Sequence, residues 1–287
     1  MPMPMIVGCG RSGTTLLRLM LDSHPALAIP PETGFLERAT EFANATPTRD
    51  EFVSILTHYP PQAPTWADFG IEADRFRAAL DRMEPFDIAE GYRTFYRLYA
   101  TQHDKPRYGD KTPMYCRYML AIAALLPEAH FIHVIRDGRD VALSLRDTWF
   151  SPGPDIEARA RYWRDWVSIA CEEGRHCPHY LEVRFEDLVT DPQNVLRAIC
   201  AFIELDFDEA MLGYHQRAPQ RLAEHRDRYD SDGNLVVSHE RRLRNQSKTT
   251  EPPDTSRVHA WRFQMDAEEL RRFDLIAGDT LRQLGYA

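Results

Sequence analysis

A glycine-rich segment near the beginning of the chain, GCGRSGTT at residues 8–15, limits the folds that are open to this sequence. The apolar run 5–7 precedes it, and the apolar stretch 16–21 follows it. A strand, a tight turn and a helix in this order are typical of a phosphate-binding loop, in which backbone N–H groups and the positive end of the helix hold an anion. The segment therefore predicts an α/β fold with an anion site at the end of its first strand.

One position separates this segment from the loop that binds nucleoside triphosphates. The spacing G-x-x-x-x-G-x-T is present, with Gly8, Gly13 and Thr15 at its defining positions. Thr14, however, stands where that loop has its lysine, and the nearest cation is Arg11 within the loop. Because the cation that grips the β- and γ-phosphates is missing, we expect a nucleotide whose reactive end is not a Mg-triphosphate.

The composition of the chain argues against several classes of protein. The formal net charge of −9 disfavours a nucleic-acid binder, which usually needs a basic face. No stretch approaches the length of apolar residues that a bilayer requires, and no leader sequence is recognised, so we expect no membrane span and a cytoplasmic location. The five cysteines form no C-x-x-C pair, which favours reduced thiols.

The order of apolar and polar segments predicts how the chain is organised. Apolar runs at 130–135 and 180–183 alternate with amphipathic helices, which favours a parallel sheet covered by helices on both faces. Residues 33–105 contain helical segments and proline-rich turns, and we expect a helical insertion there. Residues 213–256 are polar with few periodic apolar positions, and a structureless loop of that length is often a functional lid. We expect a single domain over 1–287.

A second anion site is predicted where the apolar run 130–135 ends. In open α/β sheets, ligands bind outside the carboxyl ends of the strands, and Arg136 emerges at that end. Ser144 lies two helical turns further on, on a face that could support the same anion. The alternative is that residues 136–140 form a solvated ion-pair cluster that caps the helix. Two anion sites on neighbouring strand ends would suit a nucleotide with phosphates at two positions.

The chain resembles sulfotransferases that use 3′-phosphoadenosine-5′-phosphosulfate (PAPS), in the group that includes bacterial, carbohydrate and tyrosylprotein sulfotransferases. The matching segments follow the family's order along nearly the whole chain. They are GCGRSGTTLL at 8–17, DSHP at 22–25, PET at 31–33, GDKTP at 109–113, the segment 131–145 and LGY at 284–286.

The resemblance implies how each end of the donor would be held. Arg136 and Ser144 would bind the 3′-phosphate, and Lys248 is the favoured residue to close over it, ahead of Arg257 and Arg262. No metal is implied, because a sulfuryl group in transfer carries less negative charge than a phosphoryl group. The 5′-phosphosulfate would be bound by the loop residues Gly10, Arg11, Ser12, Gly13, Thr14 and Thr15.

The resemblance also implies the catalytic residues. An acceptor hydroxyl must lose its proton as it attacks, and Glu32 matches the family's glutamate base. The alternative for Glu32 is a carboxylate that interacts with a helix dipole. Arg11 and Lys111 would stabilise the leaving 3′-phosphoadenosine 5′-phosphate (PAP); each could instead be a surface cation. One departure concerns Phe185, where related enzymes often have a tyrosine that contacts the nucleotide.

We therefore predict a PAPS-dependent sulfotransferase that acts on a hydroxyl of a small-molecule, sugar or lipid-linked acceptor. The sequence carries no signal that selects among these acceptors or indicates an oligomeric state. A small-molecule kinase is the first alternative, with Asp110 or Asp137 as its magnesium ligand. The second is a non-catalytic nucleotide-binding module whose segment 213–256 contacts a protein. The aromatic residues Trp163 and Trp166 are expected to pack in the core.

Overall fold

The computed structural model describes residues 1–42 and 47–286. Four of the strands in this part of the chain form a central sheet, and the others form two small two-stranded sheets. The strands are β1 (Met3–Gly8), β2 (Leu27–Ala28), β3 (Arg107–Tyr108), β4 (Asp110–Lys111), β5 (Ala129–Ile135), β6 (Tyr180–Arg184), β7 (Arg228–Tyr229) and β8 (Leu235–Val237).

Helices surround the central sheet, and short 3₁₀ helices connect several of them. No helix within the described ranges is both long and apolar enough to cross a bilayer. The α-helices are α1 (Thr14–Asp22), α2 (Ala39–Phe42), α3 (Arg49–Thr57), α4 (Ala73–Leu80), α5 (Ile88–Gln102), α6 (Met119–Leu125), α7 (Gly138–Leu145), α8 (Ile156–His176), α9 (Phe185–Thr190), α10 (Pro192–Phe202), α11 (Ala218–Leu222), α12 (His239–Gln246), α13 (Trp261–Gln264) and α14 (Ala267–Gln283).

The central sheet has the strand order β4-β1-β5-β6, and each neighbouring pair is parallel. Strands β1 and β5 are buried along their whole length, which explains their nearly continuous apolar sequences. Successive side chains of a strand point to opposite faces of the sheet and so enter two different cores. Met5 and Phe131 belong to one core, and Ile6 and Ile132 belong to the other. The predicted α/β class with a central parallel sheet is confirmed.

Two packed layers cover the sheet. On one face, β1 and β5 contact α1, α9 and α10 through a cluster that includes Leu17, Leu188 and Ile199. On the other face, the sheet packs against α6 and α8, and the same core continues into segment 33–105, whose aromatic side chains form much of it. Phe35 stacks on Tyr92 with ring centroids 5.6 Å apart, for example. Residues 43–46 of this segment lie outside the described residues.

The small parallel pair of β2 and β3 matters for the site. Leu27 lies opposite Arg107, and Ala28 lies opposite Tyr108. The chain that leaves β2 therefore runs beside the chain that leads into β4. This pairing brings Glu32, four residues after β2, next to Lys111 at the end of β4.

The expectation of a structureless segment at 213–256 is wrong. It contains α11, α12, the antiparallel hairpin of β7 and β8 and short 3₁₀ helices. The apolar residues that anchor these elements are too sparse to give a period in the sequence, and they include Tyr214, Leu222 and Val237. Ion pairs and hydrogen bonds of charged side chains also attach this segment to the rest of the fold.

Candidate functional site

A cavity of about 410 Å³ lies at the carboxyl ends of the central strands. The residues that follow or end each strand line it: Gly10 and Arg11 after β1, Lys111 at the end of β4, Arg136 after β5 and Phe185 after β6. This is the position where open parallel sheets bind ligands. The residues at the carboxyl ends of these strands thus meet at one cavity.

The loop after β1 has the geometry of an anion cradle. Gly13 begins helix α1 with φ +98°, and a Cβ atom there would lie 2.4 Å from the Phe185 ring, so the position requires glycine. No side chain of the described residues caps α1, which leaves its first-turn N–H groups open toward the cavity. The Ser12 hydroxyl is buried behind the described residues that line the cavity and has no hydrogen-bond partner among them. These features fit a phosphate or sulfate oxygen.

Arg136 lies in the cavity rather than in a solvated ion-pair cluster. Its side chain is buried, and its Nη1 and Nη2 donate to the backbone oxygens of Arg11 at 3.2 Å and Arg257 at 2.9 Å. The guanidinium lies 4.3 Å from the centroid of the Phe185 ring. Phe185 therefore supports Arg136 with its ring face, a contact that needs no hydroxyl.

The helix-cap alternative describes the neighbours of Arg136 instead. Asp137 accepts a hydrogen bond from the Arg139 backbone N–H at 2.9 Å and forms an ion pair with the Arg139 side chain. Asp140 accepts from the backbone N–H groups of His259 and Trp261 at 2.9 Å each. The segment 136–140 thus combines one cavity residue with a structural cap.

Three guanidinium groups meet at this side of the cavity without a carboxylate partner. Arg11 Nε donates to the Ser144 hydroxyl at 3.0 Å, and its Nη1 donates to the Asn245 backbone oxygen at 3.2 Å. None of Arg11, Arg136 and Arg257 forms a salt bridge among the described residues. Burial lowers the pKa of Arg136 to about 10; the Asp140 carboxylate opposes this shift, and the nearby Arg257 charge adds to it. A bound anion would relieve this accumulation of positive charge.

Glu32 and Lys111 form the other polar group of the cavity. Lys111 Nζ lies 2.5 Å from Glu32 Oε1 and 3.4 Å from the Thr15 hydroxyl. Burial lowers the pKa of the Lys111 ammonium, although the Glu32 carboxylate opposes this. Partial desolvation raises the pKa of Glu32, whose side chain keeps 46% of its surface accessible, but Lys111 outweighs that effect and lowers the pKa below its usual value. Each charge thus stabilises the other within the cavity.

Comparison with known proteins identifies the family. The sequence profile described as the sulfotransferase family matches residues 2–209, well over half of the chain. The chain belongs to the sulfotransferase family. The resemblance noted in the sequence is thus confirmed at this level, and membership implies a transferase.

The relatives of this chain have names that refer to different functions. Nodulation protein NoeE of Sinorhizobium fredii is 26% identical over 315 residues, which cover 99% of this chain and 67% of NoeE. A protein-tyrosine sulfotransferase of Drosophila melanogaster is 24% identical over 222 residues, which cover 75% of this chain and 40% of the fly protein. The chain spans only part of the length of these relatives.

Solved structures share the fold of this sulfotransferase. The sulfotransferase domain from the curacin biosynthetic pathway matches with a TM-score of 0.62 at 19% identity, covering 100% of this chain and 98% of that chain. The sulfotransferase domain of the Synechococcus PCC 7002 olefin synthase matches with a TM-score of 0.58 at 22% identity, covering 96% and 94%. Both likenesses support the α/β architecture.

The structure distinguishes among the cations considered for closing the site. Lys248 and Arg257 line the cavity, Lys248 on an exposed turn and Arg257 half-buried beside Arg136. Arg262 is exposed, contacts the Trp261 ring and is absent from the cavity wall formed by the described residues. Lys248 remains the predicted closing residue. Arg257, which the sequence ranked behind Lys248, lies directly beside the buried Arg136.

The aromatic wall of the cavity was only partly foreseen. Trp163 is a core residue, and its indole N–H donates to the Arg136 backbone oxygen at 3.0 Å. Trp166 packs against the core, as expected, and it also lines the cavity. A side chain on the inward face of α8 reaches the sheet edge where ligands bind. Trp149 and Phe150, about half exposed after α7, line the same cavity and were missed.

The carboxylates that a kinase would need for magnesium are used elsewhere. Asp110 is buried and accepts hydrogen bonds from the Thr33 hydroxyl at 2.7 Å and the Tyr96 hydroxyl at 2.9 Å. Burial raises the pKa of Asp110 to about 6. Neither Asp110 nor Asp137 is among the described residues that line the cavity. The positions of these acids give no support to the kinase alternative.

The sequence also gave no sign of a charged network on the Glu32 side of the cavity. Asp68 is buried, and Arg242 of α12 donates to both of its oxygens, at 2.8 and 2.6 Å. The pair is separated by 174 residues in the chain. Arg228, Arg242 and His225 all line the cavity. No local spacing relates these residues, so only the fold reveals their proximity.

Proposed function

We propose that this protein transfers a sulfuryl group from PAPS to a hydroxyl of its acceptor and releases PAP. The observation that carries the proposal is the convergence of Arg11, Arg136 and Arg257 on a cavity that also holds Glu32 beside Lys111. Cations without a salt-bridge partner at one end of the cavity suit a dianionic nucleotide end, and a carboxylate at the other end suits a proton-accepting step. Family membership supports the reaction type.

The residues fit the donor in two groups. Arg136 and Ser144, with Arg257 or Lys248 closing, would bind the 3′-phosphate through charge-assisted hydrogen bonds. The amides at the beginning of α1, with the Ser12 hydroxyl and Thr14 and Thr15, would bind the 5′ end, since the positive end of a helix favours anions. When bound, PAPS supplies an activated sulfuryl group whose leaving group is the 5′-phosphate. Arg11 joins the two groups, because its side chain reaches Ser144 while its backbone lies in the loop.

Lys111 and Glu32 would have different roles at the reacting end of the donor. Lys111 contacts both Glu32 and Thr15, so a small movement of the ammonium toward the loop would place it against the leaving oxygen. Glu32 would then be released to accept the proton of the acceptor hydroxyl. Because the transferred group carries little negative charge, the protein's task is alignment and stabilisation of the leaving group.

The acceptor we propose is a small-molecule, sugar or lipid-linked hydroxyl, as the sequence suggested. The aromatic side chains Trp149, Phe150 and Trp166 on the cavity wall would suit an acceptor with an apolar portion. Two of the relatives are named for nodulation and for protein tyrosine, and a tyrosine hydroxyl is therefore included in the test. The cytoplasmic location stays a prediction.

The proposal predicts that Glu32→Gln lowers kcat by about 10²- to 10⁴-fold in a radiolabelled PAPS assay against a panel of phenols, sugars and hydroxy lipids. The affinity for PAP should be retained or increased, because a carboxylate that competes for Lys111 is removed. Glu41→Gln makes the same change on an exposed residue outside the cavity wall and should leave kcat unchanged. Near-normal turnover by Glu32→Gln would remove Glu32 from this role.

A further inference from the structure

A second group of polar side chains lies on the wall of the cavity that contains Glu32. Arg228 of β7, Arg242 of α12 and His225 line this wall, and Arg228 and His225 both interact electrostatically with the Glu32 carboxylate. None of the three belongs to the groups that would hold PAPS. Their position beside the proposed base is the position of the acceptor.

The charge of Arg242 is already balanced. Its two terminal nitrogens bind the two oxygens of Asp68, and Arg242 and Asp68 are both nearly inaccessible. Arg242 Nη2 also lies 2.9 Å from His225 Nδ1. Because a guanidinium only donates, Nδ1 accepts, and the neutral ring carries its proton on Nε2. Arg242 and Asp68 are therefore positioning residues, and they leave His225 with an N–H donor on the cavity wall.

Arg228 is compensated far less well than Arg242. Its Nη2 lies 3.4 Å from Asp68 Oδ2, an oxygen that Arg242 already binds at 2.6 Å. Its Nε is buried and has no hydrogen-bond partner within the part of the chain described. Its side chain keeps 22% of its surface accessible, and the residue lines the cavity. A desolvated guanidinium with unused donors is a binding group for an anionic oxygen ligand.

We infer that Arg228, assisted by His225, binds a carboxylate or phosphate group carried by the acceptor itself. The inference rests on the proposed function, because it assigns the acceptor to the Glu32 side of the cavity. An anionic group held there would fix the acceptor and direct its hydroxyl toward Glu32. If Arg228 only completed the Asp68 network, it would affect stability but not the choice between charged and neutral acceptors.

The experiment measures dissociation constants by calorimetry at saturating PAP, so that the sites for the nucleotide phosphates are filled. Two matched pairs separate the possible anions: 4-hydroxyphenylacetate against 4-hydroxyphenylacetamide, and glycerol 3-phosphate against glycerol. At least one anion should bind ten-fold or more tightly than its neutral partner, as charge-assisted hydrogen bonds predict. The pair that shows the preference identifies the type of anion.

In Arg228→Gln this preference should fall below about three-fold, while the affinity for PAP changes less than two-fold. Arg226→Gln is the matched control, since Arg226 is exposed and its side chain does not line the cavity. Equal affinity for the charged and neutral members of both pairs in the wild-type protein would overturn the inference, whatever the variant's stability. Failure of the proposed function would look different: no acceptor would be sulfated from PAPS, yet the anion preference would remain.

Discussion

In the proposed reaction, the Glu32 carboxylate would have a different proton affinity before and after the nucleotide binds. In the structure, the ammonium of Lys111 at 2.5 Å lowers the pKa of Glu32, and a weakly basic carboxylate is a poor proton acceptor. Withdrawal of Lys111 toward a bound 5′-phosphate removes that stabilisation. The nucleotide's own negative charge acts in the same direction. In the proposed mechanism, the ion pair would therefore hold Glu32 in a less reactive form until the nucleotide binds.

This argument predicts a pH effect with a definite sign. Loss of a cationic partner and gain of a neighbouring anion both disfavour the ionised carboxylate, so the pKa of Glu32 should rise on PAP binding. The acid limb of the kcat profile should then lie at higher pH than the pKa of Glu32 in the free protein. Carbon-13 NMR titration of Glu32 with and without PAP measures this directly. An unchanged pKa would contradict the release of Lys111.

At the scale of elements, the segment 213–256 is attached by charge as much as by apolar packing. Asp68 lies in the 3₁₀ helix Trp66–Phe69, and it receives hydrogen bonds from Arg242 of α12 and from the Arg226 backbone N–H. Burial by itself raises the pKa of Asp68, but the hydrogen bonds and the charge of Arg242, with the Arg226 backbone N–H, lower it far below its usual range. One carboxylate thus joins the helical segment to the elements that carry Arg228.

Replacement of this carboxylate should be costly. Asp68→Asn leaves Arg242 buried without its partner, and we expect a loss of about 3–5 kcal/mol in the free energy of unfolding. Urea unfolding of the wild type, each single variant and the Asp68→Asn/Arg242→Met double variant measures the coupling. The double variant should lose less free energy of unfolding than the sum of the losses of the two single variants. Additive losses would mean that the two side chains do not stabilise each other.

The pH dependence of this loss follows from the lowered pKa of Asp68. Its contribution is fully present above the unfolded-state pKa of about 3.9 and declines as the pH falls from there through the lower folded-state value. The stability difference between wild type and Asp68→Asn should therefore be constant from about pH 5 to 8 and should shrink below about pH 4. A difference that persists unchanged at pH 3 would argue against this ion pair as its source.

How much of these elements could be predicted depended on the range of the interaction. The strands around Ile6 and Ile132 follow from local apolar runs, and the turn at Gly13 follows from the spacing of its glycines. The Asp68–Arg242 contact joins residues that look solvated in the sequence, so the segment 213–256 was expected to lack structure. Trp166 was assigned to the core because an apolar face does not reveal which of its residues reach a strand end.

For the whole molecule, the decisive property is which nucleotide stabilises the fold. A ligand at 100 times its dissociation constant adds about 2.7 kcal/mol of stability. For a chain of this size we expect PAP to raise Tm by roughly 5 °C. Adenosine 5′-monophosphate lacks the 3′-phosphate and tests the site at Arg136, and ATP with Mg²⁺ tests the kinase alternative. A larger shift with ATP and Mg²⁺ than with PAP would contradict the proposed donor.

Arg136 connects a part of the chain that the family profile matches with a part that lies beyond the matched residues. Its guanidinium donates to the backbone oxygens of Arg11, inside the matched residues 2–209, and of Arg257, beyond them. A protein truncated after residue 209 would keep every residue by which the profile recognises the family. It would nevertheless lose one wall of the cavity, including the backbone oxygens at 245 and 257. A stop codon after residue 209 would therefore separate recognition of the family from an intact cavity.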